Sequence, residues 1–361
     1  MSALIKVNKN IIFKVFSLIY GAVTEIRNSF FDLGILKTKS FDLPIISIGN
    51  LAVGGTGKTP HTEFLIQQVS KNFKIAVLSR GYKRETRGFV LADKNSTAKT
   101  IGDEPYQLFG KFPAITVAVD EKRVRGVEQL LKQKPDTELI LLDDAFQHRY
   151  IKSGLSILLT DVSNLYPDDY MLPYGTLRER AYNSKRADIV IATKCSLQTE
   201  TAEFKRIADS LKLKSGQSLF FSGFTYGKPY PVFPDDNNSG MTEITRQTAI
   251  LLVTGIEKPE PLVKYLRTMN DDIIIKTYPD HHPFSKSNIL EIERDFSELH
   301  DDKIILTTEK DAARLKSNPY LTATIKENLY ALPLEVKILN NEQDTFIKKI
   351  QDYVSKNSGN R

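Results

Sequence analysis

The chain has 361 residues, 41% hydrophobic and 26% charged, which excludes a disordered or fibrous protein and leaves room for two folded domains. Its one cysteine, Cys195, excludes an intramolecular disulfide and fits a reducing compartment. A net charge of +6 favours anionic partners: nucleic acid, a phosphorylated ligand or an acidic membrane surface.

The N-terminus, "KNIIFKVFSLIYGAVTEIRNSFFDLGIL", is apolar and aromatic, with Lys6, Lys9, Lys14 and Arg27 along it. Ile12, Phe16, Ile19, Val23 and Ile26 recur at helical spacing. Lys14 interrupts the run, so it is a poor transmembrane span, and no clear small-residue cleavage site makes it a secretory signal. Two readings stand: a basic amphipathic helix in a membrane interface, or a helix packed on the protein's own core.

Next comes "SIGNLAVGGTGKTPHTEFLI". A buried strand, a glycine-rich loop and a helix follow in the order a phosphate loop requires. Gly54, Gly55, Thr56 and Gly57 would turn backbone N–H groups toward an anion, helped by the helix N-terminus. Lys58 would neutralise the outer phosphates, and Thr59 would offer a hydroxyl to Mg²⁺. Ala52 stands where the usual pattern has its first glycine; alanine can take that turn if its φ is negative.

To residue 195, short apolar runs ("KIAVLSR", "PAITVAV", "ELILLDD", "LSILLTD", "ADIVIATK") alternate with helical stretches such as "KRVRGVEQLLKQ". That is the pattern of a parallel sheet covered on both faces. "SRGYKRETRG" and "GTLRERAYNSKR" carry basic residues; Arg80 and Arg178 are candidate phosphate ligands, although solvated surface charge is the plainer reading for most. "TIGDEPYQL" places Asp103 and Glu104 in a loop before a proline. A carboxylate there could accept the proton of an attacking hydroxyl, or simply cap a helix. In "ELILLDDAFQHR", Asp143 and Asp144 end a strand where a phosphate-loop enzyme holds its metal, and Gln147 and His148 follow where substrate or phosphate could lie. "IVIATKCS" has Ser196 where a base-specifying acid would stand, so guanine specificity is not supported.

Near residue 215 the character changes to "SLFFSGFTYGKPYPVFPDDNNSG", read as a linker strand and a loop. A second, smaller α/β alternation follows, containing "YPDHHPF" and "KIILTTEKDAARL", and the chain closes on a helix, "NEQDTFIKKIQDYVSK". His281 and His282 are adjacent and would point apart, so one of them orienting a carboxylate fits better than a shared metal.

Together and in this order, "GNLAVGGTGKTP", "LSRGYKR", "GDEP", "DDAFQH", "GTLRE", "ADIVIATK", "PDHH" and "TTEKDA" resemble the tetraacyldisaccharide 4′-kinase family, the lipid A 4′-kinases of Gram-negative bacteria. The resemblance spans residues 49–312. It implies a P-loop NTPase-like α/β fold: an N-terminal membrane helix at 1–32, a kinase domain at 33–216, and a smaller α/β domain with linker strands at 217–361. It implies ATP- and Mg²⁺-dependent phosphorylation of a tetraacylated disaccharide 1-phosphate to lipid IVA, at the cytoplasmic face of the inner membrane. It assigns the general base to Asp103, paired with His281. Lys58 and Thr59 keep phosphate and Mg²⁺ roles, and Asp143 and Asp144 form the acidic pair. Gln147, His148, Arg178 and Glu179 match active-site positions near nucleotide and substrate. Ala145 stands where the family has glycine, and Arg180 where proline often follows. The expected partners are the lipid substrate and the membrane surface, with no protein partner. The competing readings are a phosphate-loop kinase with a soluble substrate and an ATP-driven switch. No nucleic-acid module is visible.

Overall fold

A computed structural model describes residues 2–234, 244–300 and 302–358, without the side chains of 2–10 and 358. The Asn- and Asp-rich end of the expected loop, 235–243, lies outside them, as do the side chains of Lys6 and Lys9. The first eight strands are β1 (Ile45–Asn50), β2 (Ile75–Ser79), β3 (Val90–Leu91), β4 (Thr116–Val119), β5 (Leu139–Leu142), β6 (Leu155–Asp161), β7 (Ile189–Thr193) and β8 (Ser218–Tyr226). A second group is β9 (Tyr230–Pro231), β10 (Ala249–Thr254), β11 (Ile273–Thr277), β12 (Lys303–Thr308) and β13 (Leu329–Leu332), and the last strand is β14 (Leu334–Ile338). The helices are α1 (Ser2–Asp32), α2 (Lys58–Val69), α3 (Ala98–Ile101), α4 (Asp103–Lys111), α5 (Arg123–Gln133) and α6 (Thr201–Leu211). They continue with α7 (Glu260–Met269), α8 (Lys286–Ser297), α9 (Glu309–Lys316), α10 (Ala323–Asn328) and α11 (Gln343–Ser358).

The large sheet has the order β14-β8-β7-β6-β1-β5-β2-β4-β3, and the small one β11-β10-β12-β13-β9. The inner strands of both are parallel; β3, β14 and β9 join their edges antiparallel. β1 and β10 are buried at every residue, as strands covered on both faces must be. Ile46, Ile48, Val77 and Leu141 fill the core on one side of the large sheet, and Leu251, Val253, Ile289 and Ile305 belong to a separate core in the small one.

Two expectations change. A boundary at 216/217 does not match the strand pairing, because β8 continues the large sheet beside β7 and β14 pairs with β8. Phe346, Ile350 and Val354 of α11 then bury themselves in the large sheet's core, so the end of the chain belongs there and only β9 to β13 form the small unit. The apolar face of α11 decides this, and sequence order conceals it. Second, Asp103 and Glu104 form the first turn of α4 rather than a loop. Gly102, at φ 94°, is the N-cap residue, and Pro105 falls in the first turn, where a missing N–H costs nothing.

The structure also separates the two readings of α1. Ile12, Phe16, Ile19, Val23 and Ile26 all face outward. The helix docks instead through Ser17, Gly21, Asn28 and Phe31: Ser17 donates to the Met171 carbonyl at 2.8 Å, and Asn28 donates to Glu179 Oε2 at 3.1 Å. Packing its apolar face on the protein's own core is thereby excluded. Among the described residues no helix is long and apolar enough to cross a membrane.

Candidate active site

The loop between β1 and α2 has backbone that only glycine takes readily. Gly54 has φ 105° and Gly57 φ 88°. A Cβ on Gly57 would lie 2.5 Å from Phe224 Cζ of β8, so a side chain is excluded twice over. Gly54 and Gly55 face open space. Ala52 sits in a lone antiparallel bridge with Leu177, extended backbone that alanine accepts, which accounts for the missing glycine. The Thr56 side chain is absorbed by the scaffold: its hydroxyl accepts from Asn50 Nδ2 at 2.9 Å. His61, neutral because burial pulls it down to about 4, donates from Nδ1 to the Gly57 carbonyl and accepts at Nε2 from Ser222.

Beneath the loop the acidic pair diverges. Asp144, at φ 46°, meets Arg178 Nη2 at 2.9 Å and Lys58 Nζ at 3.7 Å. Burial opposes its charge, but Lys58 and Arg178 outweigh burial and hold its carboxyl below the ordinary value. Asp143 is buried and accepts from Thr62 Oγ1 at 3.4 Å. Burial, then the charges of Glu104 and Asp144, push it up to about 7 against the pull of Lys58 and Arg123. Arg178 also donates to Asn50 Oδ1, and Gln147 Nε2 donates to the Asn50 carbonyl at 2.8 Å. Asn50 is thus the post around which loop lysine, arginine and glutamine gather. A Cβ on Gly49 would lie 2.7 Å from Phe146 Cβ, so glycine there lets the segment after β5 approach β1.

The third group joins the two sheets. Asp103, at the start of α4, lies 2.9 Å from His281 Nδ1 through Oδ2. Arg314 of α9 donates from Nε to the same oxygen at 2.8 Å. His281 has φ 62°, an uncommon value for histidine, and Lys310 and Asp280 flank its Nε2 at 3.4 and 3.6 Å. His282 points elsewhere: its Nε2 meets Asn288 Oδ1 at 2.8 Å and its ring stacks on Tyr278.

Other candidates are dispersed. Glu179 is buried away from Arg178, between Arg186 at 2.5 Å and Asn28 of α1, because successive side chains of the segment point opposite ways. His148 is pulled down to about 4 by burial and by Arg123, so it is neutral, and its buried Nδ1 has no partner among the described residues. Arg80 is exposed at the end of β2, near enough for its charge to act on Arg123. Sequence reasoning missed Asn50, Arg123 and Arg314. The first lies inside the quoted loop motif and the last just after "TTEKDA", so spacing was the available signal.

The sequence model of the LpxK family, tetraacyldisaccharide-1-P 4′-kinase, matches residues 9–355. The chain belongs to that family. Its activity is that of a kinase of lipid A synthesis. A tetraacyldisaccharide 4′-kinase of Bacteroides thetaiotaomicron is 51% identical over 353 residues, 95% of this chain and 93% of the relative. One from Phocaeicola vulgatus is 46% identical over 360 residues, covering 99% and 98%. The crystal structure of an "apo" form LpxK from Aquifex aeolicus in complex with ATP matches with a TM-score of 0.73 at 27% identity, covering 94% of this chain and 97% of that one. The backbone and packing at the two positions where the resemblance expects other residues are ordinary. Ala145 is buried and its methyl joins the core beside Leu78 and Leu142. Arg180 has φ −58° and ψ 145°, a backbone that suits proline equally.

Proposed function

We propose that the chain transfers the γ-phosphate of ATP to the 4′-hydroxyl of a tetraacyldisaccharide 1-phosphate, making lipid IVA. The observation that carries this reading is the 2.9 Å pairing of Asp103 with His281 across the two sheets. A phosphate loop accounts for the donor alone; an acceptor hydroxyl needs a positioned carboxylate. The backbone of 54–57 cradles the phosphates, and Lys58 neutralises the outer ones. Asp103 takes the hydroxyl proton as the new O–P bond forms and ADP leaves. A sugar hydroxyl is a weak acid, so that proton moves late and positioning supplies most of the catalysis. His281 belongs to the small sheet, so aligning the base requires the two units to be closed.

Mg²⁺ fits the residues present. Asp143 is a buried carboxyl beside Glu104 and Asp144, and burial first, then those two charges, raise it to about 7, so a cation bound there would relieve the cost of its ionised form. Among the described residues no cluster of three or more acids, histidines or cysteines forms a separate cage, and Mg²⁺ usually takes one or two carboxylates plus phosphate oxygens. Thr59, Asp143 and Asp144 would hold it, and bound there it would neutralise charge on the transferred group. Gln147 and Arg178, gathered at Asn50, line the approach for phosphate and substrate, and Arg80 is exposed at the end of β2; His148 and Glu179 act from behind them, Glu179 through its bonds to Arg186 and Asn28.

A tetraacylated acceptor stays in a bilayer, so the enzyme must reach it. The outward apolar face of α1 supports a peripheral position in the membrane interface, on the cytoplasmic side where ATP is available. The test is incubation with γ-labelled ATP and the tetraacyldisaccharide 1-phosphate in vesicles. Label in the lipid is expected; steady ATP turnover with unlabelled lipid would point to an ATP-driven switch instead.

A further inference from the structure

Arg314 is nearly buried and its planar guanidinium meets three groups at once. Nε donates to Asp103 Oδ2 at 2.8 Å, Nη1 donates to Asp311 Oδ1 at 2.9 Å, and Nη2 lies 2.9 Å from His281 Nδ1. Asp311 is itself pinned: its Oδ2 accepts from Gly255 N at 2.9 Å and from the hydroxyls of Thr308 and Thr254 at 2.8 and 3.3 Å. The anchor is therefore rigid, and a guanidinium fork transmits that rigidity because its donors are fixed in one plane.

Arg314 Nε and His281 Nδ1 both address Oδ2 of Asp103. That leaves the direction of Oδ1 defined, as one oxygen of a carboxylate fixes the other. His281 Nδ1 has a single in-plane position for a hydrogen bond, and it either donates to Asp103 or accepts from Arg314. Guanidinium N–H groups only donate, so Arg314 Nε holds Asp103 Oδ2 whichever tautomer His281 adopts. We infer that Arg314 is a positioning residue: it aims Asp103 so that Oδ1 is presented to the acceptor hydroxyl, and it ties that aim to the small sheet through Asp311.

This rests on Asp103 being the base, and the experiment separates the two. Lipid phosphorylation is measured for Arg314→Gln and Arg314→Lys, each in the wild-type and in the Asp103→Asn background, with melting followed alongside. Arg314→Gln is expected to lower kcat about 10- to 100-fold with KM for ATP within about twofold, the signature of a misaimed group rather than a lost binding contact. Arg314→Lys recovers only part of this, since one ammonium cannot span three partners. In the Asp103→Asn background the same changes should alter kcat by less than about twofold, because residues acting as a unit are non-additive. Equal losses in both backgrounds would make Arg314 a mere fastener between the sheets, and a wild-type kcat in Arg314→Gln would also overturn the inference. Should Arg314→Gln not fold, Arg314→Lys carries the same comparison, as it keeps a cation beside Asp311. Full activity of Asp103→Asn alone would instead remove the base, whatever Arg314 does.

Discussion

Asp103, His281 and Gly57 show how much one position can carry. Asp103→Ala should lower kcat about 10²- to 10⁴-fold, the usual weight of a general base, and leave ATP binding in place. A nucleotide titration beside a turnover assay checks it; near-normal kcat would remove Asp103 from the role. His281→Ala should lower kcat more than His282→Ala, because His282 is engaged with Asn288 and Tyr278 and makes no bond to Asp103. The reverse order in a side-by-side assay would move the role to His282. Gly57→Ala meets both a left-handed φ of 88° and a Phe224 ring atom 2.5 Å away. It should cost roughly 1–3 kcal/mol and weaken ATP binding, as seen by denaturant unfolding and nucleotide titration.

Among the elements, α1 inverts the usual arrangement. Ser17, Asn28 and Phe31 face the protein, while Phe16 and Ile19 are 57% and 56% exposed. A water-facing helix would do the opposite, so the outward face calls for an apolar surface. Replacing Phe16 and Ile19 by serine should weaken vesicle binding in flotation, at about 1.5–3 kcal/mol per buried side chain, with melting unchanged. Binding equal to the wild type would argue against the interfacial position. In α4, Asp103 and Glu104 occupy the first turn, where the helix dipole favours acidic side chains, a placement the loop expectation did not offer.

At the scale of the molecule, the two units share a buried ion cluster. Lys111 of α4 lies 2.6 Å from both Glu63 of α2 and Glu309 of α9, and Tyr230 of β9 donates to Glu309 at 3.0 Å. One cation facing two carboxylates leaves excess negative charge. Burial, then Glu309, push Glu63 up to about 7, with Lys111 and Gln107 pulling the other way. Unfolded, that carboxyl titrates near 4.5, so between 4.5 and about 7 the folded chain holds more protons than the unfolded one. Stability should therefore fall as pH rises through that window, by an order of 1–3 kcal/mol. Glu63→Gln should flatten this slope in urea titrations, and an unchanged slope would refute the assignment.

The alternation of apolar runs, the loop motif and the spaced "GDEP" and "PDHH" elements determined the fold class and the kinase family, because local patterning and short motifs are read along the chain; the Asp103–His281 pairing was implied only by the family resemblance. Tertiary structure alone decided the return of α11 to the large sheet, the outward turn of α1, and the meeting of Asp103 with Arg314, 211 residues apart. Those outcomes depend on which apolar face finds which core and which charges become neighbours on closure. Neither quantity has a period or spacing in the sequence.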